Sequence, residues 1–484
     1  MNIMKIIKLY TLLMLAAVAF STVSCTKDFK EINTDPNRSA AAKPEALLAP
    51  ALYDMVTRNQ TRALRLTNEL MQVHVTVINS DEIHRYVIRP SESDYMWNNW
   101  YLQLTNFRDM YNRAKSLKQT SYAGIALICD VWVSSLITDM FGDVPYFQSN
   151  MGKDSTIYQP KFDAQKDIYL DLFRKLEEAN TSLAANQAIT VETDPLYGGD
   201  VTKWRKFGNS LYLRLLMRVA AKAEANAAAK IKDMVETNKA NYPMFASNAE
   251  SAILKFTLTP PYVTAFNTYR DYDFNGDNGL SEFFINNLKE WNDPRITKWA
   301  ATFSGAYEGI PSGYLDGHVP DRKSYYLAAL KNEPLLGNIL NYAEVQFLLS
   351  EAALKGYISG NAQTYYENGI NAAITMWGQT VPSGYLTNTE VMWDPALGFD
   401  QLMDRILLQK YYALFFTDFQ QWYEYNRTGH PVLPKGPGLK NNGLMPVRFK
   451  YPVSVQSLNK ANYDAAVAAM GGPDDLNTKT WWEK

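Results

Sequence analysis

The sequence predicts an all-α protein in which stacked helix-turn-helix pairs carry a long irregular, loop-rich portion. Three observations predict it. Ten segments repeat their apolar residues every three or four positions, the spacing that puts them on one helical face. Adjacent segments are joined by short links bearing Gly or Asn, such as Leu354 to Asn361, as expected for stacked pairs. Between about Pro243 and Pro334 that periodicity gives way to Thr, Pro, Gly and Tyr, and loops of such length in a compact protein usually carry function.

Taken in chain order, residues 1–24 read as an export signal: Lys5 and Lys8, an apolar run from Leu9 to Phe20, then the small residues Ser21 to Ser24. The run is too short for a permanent membrane helix. Cys25 follows Thr22-Val23-Ser24 directly, an arrangement similar to the bacterial lipobox, although Thr22 stands where Leu is more usual. Cys25 is therefore the expected lipidation site, and several acyl chains on it would hold the protein to a membrane firmly. Residues 25–44 are polar and turn-rich, a lipidated tether. Residues 45–484 form the main domain. Helices are expected over 46–57, 64–77, 97–118, 122–141, 164–183, 202–223, 225–237, 342–356, 362–377 and 400–426, with an irregular insert at about 243–334. The tail, about 431–484, carries Pro434, Pro437, Pro446 and Pro452, which block long helices and suggest a segment wrapping the body. Beyond the signal, no apolar run is read as spanning a membrane.

Charge is nearly balanced, 48 Lys plus Arg against 50 Asp plus Glu, so a nucleic-acid backbone or an anionic lipid surface is not favoured and neutral polar ligands fit better. The 31 tyrosines outnumber the 21 phenylalanines, a bias suited to surfaces where a ring packs while its hydroxyl stays wet. Cys129 falls on the apolar stripe Ile125, Cys129, Trp132, Leu136 and reads as a buried free thiol.

Signs of catalysis are missing. The four histidines, His74, His84, His318 and His430, have no metal-ligand spacing, and there is no phosphate loop, dinucleotide fingerprint or Gly-x-Ser-x-Gly elbow, so no enzyme is predicted and no cofactor is required. One local motif is sharper. Asp271, Asp273, Asn275, Asp277 and Glu282, with Gly276 between them, match the spacing of a calcium loop. Asn278 stands where an aliphatic residue belongs, and Pro260 and Pro261 precede it, so the preferred reading is an Asx-rich turn leading into a helix from Leu280 to Trp291, with calcium as the alternative. Ligand-binding rings are sought on loops: Tyr262, Tyr269, Tyr272, Phe274, Tyr307 and Tyr314 in the insert, then Tyr86 and Tyr95 in an earlier irregular stretch. By contrast Trp97 with Tyr101, and Trp204 with Phe207, share helix faces and should pack.

Several stretches in shared order resemble the SusD/RagB family of surface lipoproteins. They are Phe29 to Asn37; Asp139-Met140-Phe141-Gly142-Asp143-Val144-Pro145-Tyr146; Lys203 to Leu211 after Gly198-Gly199-Asp200; Asp293-Pro294-Arg295; Tyr342 to Ala353; Gln409-Lys410-Tyr411; Trp422 with Arg427 to Pro431; Pro446 to Phe449 with Tyr451-Pro452; and Trp481-Trp482. The resemblance implies a scaffold of tetratricopeptide-like helix pairs and a looped portion presenting the ligand site. It implies an outer-membrane location facing the cell exterior, capture of oligosaccharide, and a SusC-like TonB-dependent transporter as partner, over which the lipoprotein sits as a hinged lid. Peptide capture in the same role, or a helical adaptor binding only protein, are the alternatives. The shared stretches are scaffold: Trp204, Tyr342, Glu351 and Trp422 should be core or helix-pair contacts. No glycan-binding residue carries over.

Overall fold

The computed structural model describes residues 42–484, so the signal, Cys25 and most of the tether lie outside the described residues. Eleven helices of nine residues or more organise the described chain: α1 (Pro44–Arg62), α2 (Pro90–Ser116), α3 (Thr120–Phe141), α4 (Gln165–Ala184), α5 (Val201–Arg218), α6 (Glu282–Glu290), α7 (Tyr342–Leu354), α8 (Ala362–Met376), α9 (Phe399–Ala413), α10 (Gln420–Thr428) and α11 (Lys460–Met470). Their ends follow side-chain chemistry. Asp200, Ser281, Asn341 and Asn361 each accept the backbone N–H three residues on, capping α5, α6, α7 and α8. Pro44 and Pro90 open α1 and α2, where a missing N–H costs nothing.

Neighbours in sequence are neighbours in space: α1 packs on α2, α2 on α3, α3 on α4, α4 on α5, then α7 on α8 and α9. At the centre lies α3. By length and composition it could cross a membrane, with a mean hydropathy of 1.5, which corrects the reading that no second apolar run does so. Its apolar window is wholly buried within the protein, and it serves as the central core helix. Cys129 lies there, and burial pushes its thiol well up, as expected of an inert structural cysteine.

Two expected helices are broken. Over 64–77 the chain makes a π-helical turn at Ala63–Thr67, a last helical turn at Asn68–Leu70, and then strand β1 (His74–Thr76). Gln72, at φ 52°, reverses the chain, and the run Val73-His74-Val75-Thr76-Val77 is rich in the branched side chains that favour strands. Over 400–426 the helix stops after Ala413 and restarts at Gln420, because Phe416 and Asp418 adopt φ 55° and 38°. The Asp418 carboxylate accepts from the Phe419 N–H and the Gln420 amide, fixing the break. The tail also departs from expectation, since its Ala-rich segment folds as α11.

From Pro243 to Pro334 the longest helix is α6. Five further two- or three-residue strands appear here and just beyond: β2 (Ala252–Ile253), β3 (Asn278–Leu280), β4 (Ala300–Ala301), β5 (Tyr325–Tyr326) and β6 (Asn338–Leu340). They pair antiparallel as β1 with β3, β2 with β6 and β4 with β5. The β1–β3 pair, in register His74 with Leu280, ties the insert to the first helical pair. The tail crosses the body: Phe449 donates to Met140 O, Trp422 donates to Pro446 O, and Trp482 is buried.

Candidate functional site

The family-like stretches lie in the scaffold, where they contribute Asp139, Glu344, Glu351, Lys410 and Arg427 to a buried ionic lattice. Arg214 on α5 makes two 2.6 Å bonds to Glu344 on α7; Arg218 reaches Asp139 on α3 at 2.9 Å and Gln420 on α10 at 2.8 Å. Arg427 grips Glu351 through two 2.7 Å bonds, and Lys410 meets Glu424 at 2.7 Å. All are buried. Burial alone would push the Glu351 and Glu424 carboxyls up, yet Arg427 and Lys410 hold both below the usual carboxylate range. Asp139 goes the other way: burial raises it to about 6 against the pull of Arg218. Trp204, Glu351 and Trp422 are fully buried and Tyr342 half-buried, as expected of core and helix-pair contacts. Trp97 packs on Tyr101 at 4.9 Å, and Trp204 on Phe207 at 5.9 Å. Each side chain of the lattice is engaged by another group of the chain and shielded from solvent.

The opposite arrangement occurs where three irregular segments meet: Val77 to Arg89, Tyr307 to Lys323 and Pro434 to Lys440. Arg85, 1% exposed, is their hub. Its guanidinium donates to Asp81 Oδ1 at 3.0 Å and Asn79 Oδ1 at 3.2 Å, lies 3.7 Å from Asp316, and sits 4.9 Å from the centre of the Tyr314 ring. Its carbonyl accepts from Lys440 N–H at 2.9 Å, which brings in the tail. The Tyr314 ring is stacked on His84 at 5.5 Å and 27°, and its hydroxyl donates to Thr76 O and Ile78 O. Burial drives His84 down to about 4, so this imidazole is neutral at physiological pH. Glycine permits the closest approach: a Cβ on Gly436 would stand 2.2 Å from Ser312 O, and one on Gly438 1.9 Å from Tyr314 O. The Gly-Pro-Gly of the tail therefore exists to lie against the Tyr314 loop.

Beside this hub opens a cleft of about 440 Å³, walled by Phe283, Pro311, Tyr314, Leu315, Pro434 and Pro437, with Gln72, Glu282, His318 and Lys435 as its main polar groups. An apolar wall with few fixed polar groups is the usual composition of a small-ligand site. A second feature adjoins it. Tyr272 and Tyr325, 60% and 36% exposed, flank Arg322, whose guanidinium lies 4.4 Å from the Tyr325 ring centre. Ledge and cleft are joined by a chain of bonds: Tyr272 hydroxyl to Asp277, Thr76 hydroxyl to Asp277 O, Tyr314 hydroxyl to Thr76 O.

The expected ring candidates thus divide. Tyr269 and Tyr272 are exposed, and Tyr307 is half-buried. Tyr95 lies under the Arg62 guanidinium at 3.8 Å and lines a separate polar cleft of about 380 Å³ with Tyr53, Asp54 and Arg58; Tyr262 meets Tyr53 edge-on at 5.9 Å beside it. Tyr314, 5% exposed, is mostly buried yet contributes to the cleft wall, whereas Phe274 and Tyr86, at 1% and 4% exposure, root loops in the core. Phe274 shows why, since it packs on Phe266 and Tyr326 beneath the ledge. Arg85, Asn79, Asp81, Asp316 and Tyr325 were not foreseen. A lone basic residue behind the polar turn Asn79-Ser80-Asp81-Glu82 is the only sequence signal they leave.

The five calcium-loop side chains do not converge. Residues Asp271–Asn275 form a helical turn that sends its oxygens to different sides: Asp271 to Lys331, Asp273 to Arg270 and, beyond the turn, Asp277 to Tyr272, while Asn275 donates to Tyr326 O. Glu282 is part of the cleft wall instead. Among the described residues no three His, Cys, Asp or Glu are grouped to hold a metal ion.

Comparison with known proteins fixes the lineage of this arrangement. A SusD-like family model described as "starch-binding associating with outer membrane" matches residues 36–452. The chain belongs to that family. Solved structures agree in fold. A SusD homologue from Bacteroides fragilis is 24% identical with a TM-score of 0.76, covering 92% of this chain and 99% of its own. A chitin-binding SusD homologue from Flavobacterium johnsoniae (22% identical, TM-score 0.79) covers 91% of this chain and 98% of its own, and one from Bacteroides uniformis (23%, 0.79) covers 91% and 99%. No curated protein sequence matches. The SusD-like fold accordingly supplies the scaffold, while the ledge and most of the cleft belong to segments that the sequence marked as irregular, with Gln72, Glu282 and Phe283 falling where helices were expected.

Proposed function

We propose that this SusD-like protein is a lipid-anchored cell-surface protein that captures oligosaccharide on the Arg85 face and delivers it to a TonB-dependent outer-membrane transporter. One observation carries the reading: a cleft and ledge with accessible Tyr and Leu surface lie beside exposed polar groups held near a buried cation. Ring faces stack on the C–H faces of sugars, and Asn79 and Asp81, oriented by hydrogen bonds from Arg85, accept hydroxyls with little reorganisation, with Asp316 3.7 Å from the same guanidinium. Membership of an outer-membrane-associated family supports the location and the partner. Cys25 would supply the anchor, so Cys25→Ala should release the protein from washed membranes.

Asp81 is poorly suited to protonate a leaving group. A glycosidase needs a carboxylic acid with a raised pKa, whereas Asp81 is lowered, first by the hydrogen bond from Arg85 and then by Lys440. The test is a glycan and peptide array on soluble protein lacking residues 1–25, followed by an assay for new reducing ends. Retained saccharide with no new ends is the expected result. Binding of peptides alone would replace the ligand class, and released ends would replace binding by catalysis.

A further inference from the structure

We propose that the polar cleft of Tyr53 and Tyr95 is a second saccharide subsite, taking the continuation of the chain held on the Arg85 face. This rests on reading that face as the saccharide site. Two of the ring candidates that the face leaves unused, Tyr95 and Tyr262, meet at this cleft. Tyr95 lines it under the Arg62 guanidinium, 3.8 Å from the ring centre, and Tyr262 stands edge-on to Tyr53 at 5.9 Å. These contacts fix rings that remain half-buried.

The wall between the rings suits a ligand that both donates and accepts. Thr57 and Thr61, one turn apart on α1, give their hydroxyl protons to carbonyls of the same helix, so their oxygens are left as acceptors. Asp54 accepts from Arg58 Nε at 2.6 Å and from Gln103 at 2.7 Å, which pairs the one acid of the wall with its one cation. Further polar groups come from the insert, where Asn267 and Thr268 line the cleft. Among the described residues neither of these two side chains bonds to the protein, and Thr268 is exposed. A sugar chain answers such a wall with hydroxyls for the polar groups and C–H faces for the rings. A peptide fits it less well, because peptide side chains need apolar pockets and only Val263 and Ala265 are aliphatic here.

Continuity with the Arg85 face comes from the backbone. The segment Thr264 to Tyr272 lines the cleft at one end and supplies the exposed Tyr272 ring to the ledge at the other. Thr268 and Tyr272 are four residues apart, so their Cα atoms lie within about 15 Å of each other. One oligosaccharide reaches both, and its second contact forms as an intramolecular step. The cleft should therefore add affinity for long chains and none for short ones.

The experiment titrates soluble protein lacking residues 1–25 with malto-, cello- and chito-oligosaccharides, from the disaccharide to long chains, by calorimetry. In the parent, affinity should rise about tenfold along the series that binds. Two variants should remove that gain. Asn267→Ala with Thr268→Ala breaks no bond among the described residues, and Arg58→Ala leaves Asp54 held by Gln103. The first decides alone if the second melts early. In each, long chains should fall about tenfold to the disaccharide level, while the disaccharide stays within about twofold of the parent. A flat length profile in the parent, or an unchanged one in the variants, overturns the proposal while leaving the Arg85 face a saccharide site. Loss of disaccharide binding in the folded cleft variants overturns it too. Binding of none of the three series, or parental binding of every length by Tyr272→Ala with Tyr325→Ala, overturns the underlying reading, and the proposal with it.

Discussion

The helical scaffold and the Arg85 face use the same ion-pair chemistry to opposite ends. In the scaffold both partners are buried, as in Arg214–Glu344 with side chains 2% and 1% exposed. On the loop face one partner is buried and the other exposed, as in Arg85–Asp316 at 1% and 78%. A closed pair stiffens the packing between helices. A half-open pair fixes the direction of an acceptor that a ligand can still reach. The difference teaches where lineage and ligand are written: the family-like stretches supply at least one partner of each closed pair, with Arg214, Arg218 and Glu424 outside them, whereas both partners of the open pair lie outside those stretches.

The largest expected effect breaks the closed side. Arg214→Met leaves Glu344 buried without its partner, and should cost roughly 3 to 5 kcal/mol in denaturant unfolding, whereas Asp316→Ala, at the exposed end of its pair, should cost about 1 kcal/mol or less. Equal losses would erase the distinction. A comparable loss, roughly 3 to 5 kcal/mol, is expected for Trp204→Ala, which opens a core cavity.

Next comes pH. The Asp139 carboxyl is raised to about 6 by burial, so its contribution to stability is full below the ordinary Asp range and is lost as pH rises through 6. Glu351 and Glu424, held low, contribute in the reverse sense and are lost only on acidification below about 4. Burial raises Asp418 and Glu483 in the same sense, to about 6 and about 7, and lowers His84 to about 4 in the opposite sense, so the change in stability between pH 5 and 7 should be shifted, not abolished, by Asp139→Asn; an identical change in both proteins would remove Asp139 as a source. The smallest effect concerns the calcium-like loop. Its carboxylates are already engaged by Lys331, Arg270 and Tyr272, so a chelator should leave the melting temperature unchanged, and a reproducible fall would mean that the loop closes around an ion after all.

The helical faces were legible because 3.6-residue periodicity is a local signal, and Trp97, Trp204 and Cys129 all lie where their stripes put them. The two broken helices were not. Their breaks at Gln72 and Phe416 depend on left-handed residues that no glycine announced. The lattice was invisible because its partners are far apart in sequence, Arg214 and Glu344 by 130 residues. Aromatic residues on irregular segments gave a mixed signal: Tyr269 and Tyr272 reach the surface, whereas Tyr86, Phe274 and Tyr314 hold loops down. A loop needs both kinds, and composition does not separate them. The hub was missed for a related reason, since a buried arginine that orients exposed acids looks in sequence like any surface charge.

The central claim is that the loop face, and not the scaffold, holds the ligand. Its most direct test is calorimetric titration of the triple variant Tyr272→Ala, Leu315→Ala, Tyr325→Ala with the best array ligand. All three side chains are at least 36% exposed, so the melting temperature should stay near that of the parent. The account predicts at least a tenfold loss of affinity, on the order of 1 kcal/mol or more from the lost ring contacts. Parental affinity in a folded triple variant would contradict it.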